Sequence, residues 1–195
     1  MSTNSPGQHM YDWTGFYAGV HGGYLWGDVD ADYFYDLDIS IDDPLFGAQA
    51  GALFQRGMFV FGAEADIALT SAGGQVCMFS CIEGFSADME WLATLRGTAG
   101  IAYDKAYVYA TGGVAIAGMD FGIIEFSSIP HFSETLTGWT AGAGASLRLS
   151  EHVSVNTQYL YFDLGDIMID PIWSGSPIDY SVTGHVARVG INIHN

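Results

Sequence analysis

The sequence predicts an all-β fold, an eight-stranded antiparallel up-and-down transmembrane β-barrel, and three observations carry that prediction. Alternating apolar and polar residues recur in runs of roughly ten, the length a tilted strand needs to cross a bilayer. The chain is 49% hydrophobic and only 14% charged, against roughly 25% charged in an ordinary soluble domain. Yet no stretch reaches the ~18 uninterrupted apolar residues of a membrane helix. A closed barrel is the remaining way to satisfy every backbone group in hydrocarbon, because it leaves no unpaired edge.

Period-two alternation and the breakers between runs place strands at 15–27, 45–55, 58–69, 89–103, 106–119, 136–149, 152–164 and 180–193. Eight is an even number, as a single-chain barrel of this kind requires. Residues 1–11 read as a flexible N-terminal segment and 12–195 as a single barrel domain. The connections alternate in length. Arg56-Gly57, Asp104-Lys105 and Ser150-Glu151 are tight, whereas 28–44, 70–88, 120–135 and 165–179 read as long loops. Short turns on one side and long loops on the other put both termini on the periplasmic side and the loops outside the cell.

Parity assigns the faces. In the third strand Phe59, Phe61, Ala63, Ala65, Ile67 and Leu69 oppose Glu64 and Asp66; in the fourth, Trp91, Ala93, Leu95, Ala99 and Ile101 oppose Glu90, Thr94, Arg96 and Thr98. Trp139, Ala141, Ala143, Ala145 and Leu147 likewise oppose Thr140, Ser146 and Arg148, and Ala187, Val189, Ile191 and Ile193 oppose Arg188 and Asn192. One face suits lipid. The other is polar and turns inward, where a charge left unpaired is costly. Glu64, Asp66, Glu90, Arg96, Arg148 and Arg188 are therefore expected to form a structural ion network inside the barrel. Trp13, Phe16, Tyr17, Trp26, Trp91, Tyr103, Tyr107, Tyr109, Trp139, Tyr159, Tyr161 and Phe162 are expected to form two interfacial girdles.

The formal net charge is −17, from 22 acidic and 5 basic residues. That excludes nucleic acid as a partner, since affinity for phosphate backbones comes from Lys and Arg. Seven Asp between Asp28 and Asp43 mark an acidic loop. Asp28, Asp30 and Asp32 are candidate Ca²⁺ ligands, a hard-oxygen set, but the stretch lacks the glycine and terminal glutamate of an EF-hand. A solvated acidic loop is the simpler reading of the two. Cys77 and Cys81 are a candidate disulfide in an oxidising compartment. They are too few for zinc. Glu64, Asp66 and Glu90 read as salt-bridge partners of the arginines rather than as a catalytic pair, and no nucleophile-elbow or phosphate-loop motif is present. No cofactor is expected. Met1–His9 has neither the basic start nor the apolar run of a secretory signal, so the expectation is a chain read without its leader.

Ordered motifs then resemble a known family. They are Asp12-Trp13-Thr14-Gly15-Phe16-Tyr17-Ala18-Gly19, Phe59-Val60-Phe61-Gly62-Ala63-Glu64-Ala65-Asp66, Trp91-Leu92-Ala93-Thr94-Leu95-Arg96-Gly97 and Tyr109-Ala110-Thr111-Gly112-Gly113-Val114-Ala115. Gly138-Trp139-Thr140-Ala141-Gly142-Ala143-Gly144, Gln158-Tyr159-Leu160-Tyr161-Phe162-Asp163-Leu164-Gly165 and His185-Val186-Ala187-Arg188-Val189-Gly190-Ile191-Asn192 complete the series. Spread from residue 12 to residue 192, they resemble the small eight-stranded outer-membrane barrels of Gram-negative bacteria, the opacity-porin-like surface proteins. The chain departs from that pattern after Ile193, where His194-Asn195 stand in place of a terminal aromatic.

The resemblance implies an outer-membrane surface protein without enzymatic activity, in contact with outer-membrane lipid and lipopolysaccharide. Its long loops are expected to serve adhesion or partner contacts, and its Gly- and Ala-rich lipid face to allow a homo-oligomer. The alternative is a narrow pore or a transporter of a small ligand such as haem.

Overall fold

The computed structural model describes residues 11–32, 36–78, 83–125, 131–169 and 178–195. Eight strands, β1 (Gly15–Asp32), β2 (Asp36–Arg56), β3 (Phe59–Met78), β4 (Glu83–Tyr103), β5 (Ala106–Glu125), β6 (His131–Arg148), β7 (Val153–Ile169) and β8 (Ile178–His194), close into one antiparallel barrel in sequence order. Two of the tight turns are made by left-handed residues. Gly57 (φ 64°) lies between β2 and β3, and Asp104 (φ 52°) opens the two-residue Asp104-Lys105 turn between β4 and β5, the backbone sign that matches strand twist.

Parity holds in the lower barrel. Phe16, Phe54, Phe59, Tyr103 and Ile193 are exposed near the tight turns, and Trp26, Phe46, Leu69, Trp139 and Tyr159 are exposed farther up. Phe16 and Trp26 stand ten residues apart on one strand. At ~3.3 Å per residue and ~40° of tilt that is about 25 Å, the height of the apolar band of such barrels. Five of the expected girdle aromatics instead point inward and are buried: Trp13, Tyr17, Tyr107, Tyr109 and Phe162. The four on strands share a parity with inward residues of their own strand, as Tyr107 and Tyr109 do with Thr111, and Trp13 lies in the segment before β1.

The stretches read as long loops are largely strand. β1 and β2 stay paired as far as Asp32↔Asp36, and β4 and β5 as far as Glu83↔Glu125. At 17–21 residues the strands are about twice the length a membrane crossing takes. The excess projects past the upper exposed aromatics, at the end of the barrel away from the chain termini.

That projection is not a closed wall. The β2–β3 ladder ends at Leu45↔Thr70 and the β6–β7 ladder at Trp139↔Asp163, both at the upper girdle. A bulge accompanies each stop. Thr70-Ser71 of β3 face the single residue Glu90 of β4, and Leu164-Gly165 of β7 face Val182, with Gly165 at φ 77°. Bulges bend the strand that carries them and end pairing. Pro44, which has no N–H to give, sits beside the first stop, and its carbonyl accepts the Thr70 hydroxyl instead (3.3 Å). Above the girdle the wall therefore parts into two four-stranded leaves, β7–β8–β1–β2 and β3–β4–β5–β6.

The inner faces of the leaves explain why they stay together. Leu25, Ile41, Leu45, Leu164 and Val182 of one leaf form a single buried apolar cluster with Ala72, Met89, Met119 and Leu136 of the other. The expectation of a polar inner face thus fails in the upper half, where the lumen is a hydrophobic core. Amides along β6 at 133–137, on the side facing the parted seam, are expected to exchange with deuterium at least about tenfold faster than amides at 141–146, which are paired on both sides. Exchange measured in micelles checks this.

Candidate functional site

Below the apolar core, four charged side chains meet in the lumen. Glu64 on β3 lies directly opposite Arg96 on β4, with Asp66 opposite Thr94. Across the lumen, Arg188 on β8 lies opposite Gln158 on β7. The two pairs converge. Arg96 Nη2 bonds Glu64 Oε1 (2.5 Å) and Asp66 Oδ1 (2.7 Å), and Arg188 Nη2 bonds the same two oxygens (3.3 and 2.8 Å). Two cations balance two anions, and all four side chains are buried.

Neutral groups satisfy most of the remaining valences, although Arg96 Nη1 has no hydrogen-bond partner among the described residues. Arg96 Nε donates to Thr94 Oγ1 (2.7 Å), whose hydroxyl donates to Asp66 Oδ1 (2.8 Å). Arg188 Nε donates to Gln158 Oε1 (2.7 Å), and the Gln158 amide donates to Glu64 Oε1 (2.9 Å) and to the Tyr109 hydroxyl (2.6 Å). Tyr17 donates to the other oxygen of Glu64. Arg188 Nη1 stands 3.3 Å from His21 Nε2. Arginine has only donors to offer, so this His21 nitrogen accepts and the ring is neutral. A second polar group below joins Gln49 Nε2 to Asn192 Oδ1 (2.7 Å) and Asn156 Oδ1 (3.3 Å).

The lower mouth, at the end that holds the chain termini, is closed by the segment before β1. Trp13 is 1% exposed, lies beside Tyr107, and donates its backbone N–H to Gln55 Oε1 (2.8 Å). Arg148 stacks on Tyr11 and Trp13, 4.5 and 4.8 Å from the ring centres, and donates to the Glu151 carbonyl (2.9 Å). Between this plug and the charge cluster a water-sized cavity is lined by Tyr17, Glu64, Ser154, Asn156 and His194.

Of the six residues expected to form one network, the structure brings together Glu64, Asp66, Arg96 and Arg188. It does not bring in Glu90 or Arg148. Glu90 is the bulge residue of β4, and the bulge turns it outward, so it is exposed. Arg148 shares the inward parity but sits at the far mouth, where aromatic rings rather than carboxylates hold it. Among the candidate Ca²⁺ ligands, Asp28 is exposed and accepts a bond from the Ser40 hydroxyl (3.2 Å). The side chains of Asp30 and Asp32 lie outside the described residues, as do those of Cys77 and Cys81.

Parity alone missed Tyr17, Tyr109 and Gln158 as members. A signal existed in the glycines beside the two tyrosines. A Cβ on Gly51 would stand 2.6 Å from the Tyr17 ring, and one on Gly144 2.6 Å from the Tyr109 ring. A bare backbone facing a large ring marks an inward aromatic in a narrow barrel.

Comparison with known proteins places this geometry. Residues 2–194 match the sequence profile of the outer membrane protein beta-barrel domain. The 31 kDa outer-membrane immunogenic protein of Brucella melitensis biotype 1 is 31% identical over 93% of this chain and 83% of its own length. The 25 kDa outer-membrane immunogenic protein of Brucella abortus biovar 1 is 27% identical over 93% of this chain and 79% of its own. Neisserial surface protein A superposes with a TM-score of 0.51 at 14% identity, over 93% of this chain and 98% of that one, a likeness of fold.

Removing one arginine leaves a buried carboxylate without its counterion, which costs about 3–5 kcal/mol, whereas replacing a whole buried ion group by neutral residues costs far less. Arg96→Met is therefore expected to lower the urea midpoint for unfolding sharply. The quadruple change Glu64→Gln, Asp66→Asn, Arg96→Met and Arg188→Met is expected to recover more than half of that loss, read by tryptophan fluorescence in lipid vesicles.

Proposed function

The chain belongs to the outer membrane protein beta-barrel domain family, and from that premise we propose a non-enzymatic, structural role in which the barrel anchors a projecting β-surface for contact with partners outside the cell. Its place is the outer membrane. The observation that supports the reading is the filled lumen. An eight-stranded barrel has room only for side chains, and here they occupy three successive levels: the Trp13 plug, the neutral charge cluster and the apolar core between the leaves. The two buried carboxylates are each committed to two arginines, which leaves neither poised for proton transfer.

The same filling bears on the pore alternative. A solute would have to displace an apolar core and an ion cluster in series. Outer-membrane lipid and lipopolysaccharide are the proposed surroundings of the exposed apolar band.

Purified protein in planar bilayers is expected to give no discrete conductance steps, and Arg96→Ala and Glu64→Ala are expected to give none either, because the apolar core above the cluster stays closed. A steady ohmic channel in the unaltered protein contradicts this reading and favours the pore.

A further inference from the structure

We propose that the upper edge of β6, from His131 to Gly138, is a docking site for an extended, basic peptide segment of a partner, which adds to the β3–β4–β5–β6 leaf as a fifth strand. The proposal rests on reading the projecting leaves as the contact surface, and three observations carry it.

The first is the edge itself. Residues 131–138 pair with β5 along Gly122–Ala115, but past Trp139↔Asp163 no described residue pairs with their other side. In an antiparallel strand every second residue directs its N–H and C=O to that side, and an unpaired row of such groups is a template for another strand. Ser133, Glu134, Thr135 and Thr137 are exposed there.

The second is the contrast with the neighbouring edges. Natural sheets blunt exposed edges with proline, charge or bulges. The free edge of β2 carries Pro44 and four aspartates between Asp36 and Asp43, β7 begins its free stretch at the Leu164-Gly165 bulge, and β3 begins its own at Thr70-Ser71. The β6 edge has neither proline nor bulge, and Glu134 is its single carboxylate. Its ladder with β5 is continuous, it contains no proline, lysine or arginine, and two β-branched threonines face outward. Such a segment suits strand addition.

The third is charge. Seventeen of the 22 acidic residues lie in 28–43, 83–90, 120–134 and 163–179, four stretches of the sequence that run into or out of the upper strand ends. All five basic residues, Arg56, Arg96, Lys105, Arg148 and Arg188, lie outside them. The lower barrel is balanced, with five acids against five bases, so the whole net charge of −17 belongs to those four stretches. Glu134 lies on β6 itself, Asp120 pairs opposite Ser133 on β5, Asp163 pairs opposite Trp139 where the ladder stops, and Asp88 lies one strand farther, opposite Asp120. A second copy of the chain would bring an equal negative field and be repelled; a strand carrying lysine or arginine is drawn in.

The test uses the full chain in detergent micelles and a short synthetic peptide of alternating lysine and threonine with ¹³C-labelled carbonyls. Saturable binding with a sheet-type shift of the labelled amide I band is expected. N-methylation of alternate peptide nitrogens, which removes the main-chain donors, is expected to weaken binding by about tenfold or more. Thr135→Lys with Thr137→Lys is expected to do the same, while Asp28→Lys with Asp42→Lys on the other leaf changes binding by less than about threefold. Heat-modifiable gel migration confirms that each variant is folded. Equal binding of the N-methylated peptide, equal loss from both lysine pairs, or no binding at all overturns the proposal, as does a peptide-free dimer that the Thr135 and Thr137 changes abolish. Since none of these readouts involves conductance, the closed-barrel reading stands or falls separately.

Discussion

Everything above and below the middle of this barrel depends on one electrostatic arrangement: two arginines from opposite walls gripping the same two carboxylates. A small barrel must fill its own lumen, and apolar residues on both faces of every strand would leave the chain unable to distinguish inside from outside. Glu64 and Asp66 on β3, Arg96 on β4 and Arg188 on β8 provide the distinction. Each is intolerable in lipid and satisfied only when the others are present. The cluster therefore fixes which parity faces inward on those strands, and through β-pairing on all eight. It also ties β3–β4 to β7–β8 across the lumen, where no backbone bond can reach.

Above that clamp the design changes. With the girdle passed, the wall no longer has to be closed, because water can satisfy free backbone groups there. Bulges in β3 and β7 release two ladders at the same height, and the inner faces become apolar instead of ionic. The upper half is thus held by burial and the lower half by ion pairing and closure. The charge distribution follows the same division. The stem that carries the apolar band has as many acids as bases, and the remaining acids lie toward the upper end of the chain's strands and connections. Closure and ion pairing thus belong to the stem, and the apolar core to the head.

Much of this was legible in the chain. Period-two alternation located eight strands, and the inward placement of Glu64, Asp66, Arg96 and Arg188 followed from their opposition to runs such as Phe59, Phe61, Ile67 and Leu69. What failed had local physical causes. Glu90 was misplaced because a single bulged residue reverses parity, and nothing in the alternation announces it. Trp13, Tyr17, Tyr107 and Tyr109 were misread because an aromatic near a strand end suits an interface as well as a lumen, and a facing glycine marks only Tyr17 and Tyr109 among them. The extracellular strands read as loops because aspartate and glycine are poor strand formers in general, yet pairing on a shared apolar core holds them extended.

The cross-lumen clamp is tested most directly by a double-mutant cycle between Asp66 and Arg188, which sit on opposite walls and have no sequence or backbone contact. Unfolding free energies in lipid vesicles would be measured for Asp66→Asn, Arg188→Gln and the pair. A clamp predicts a coupling energy above about 1 kcal/mol, with the pair far less damaging than the sum of the singles. Additivity within about 0.5 kcal/mol would mean that the two walls stand independently, and the account of a barrel organised around its buried charges would be wrong.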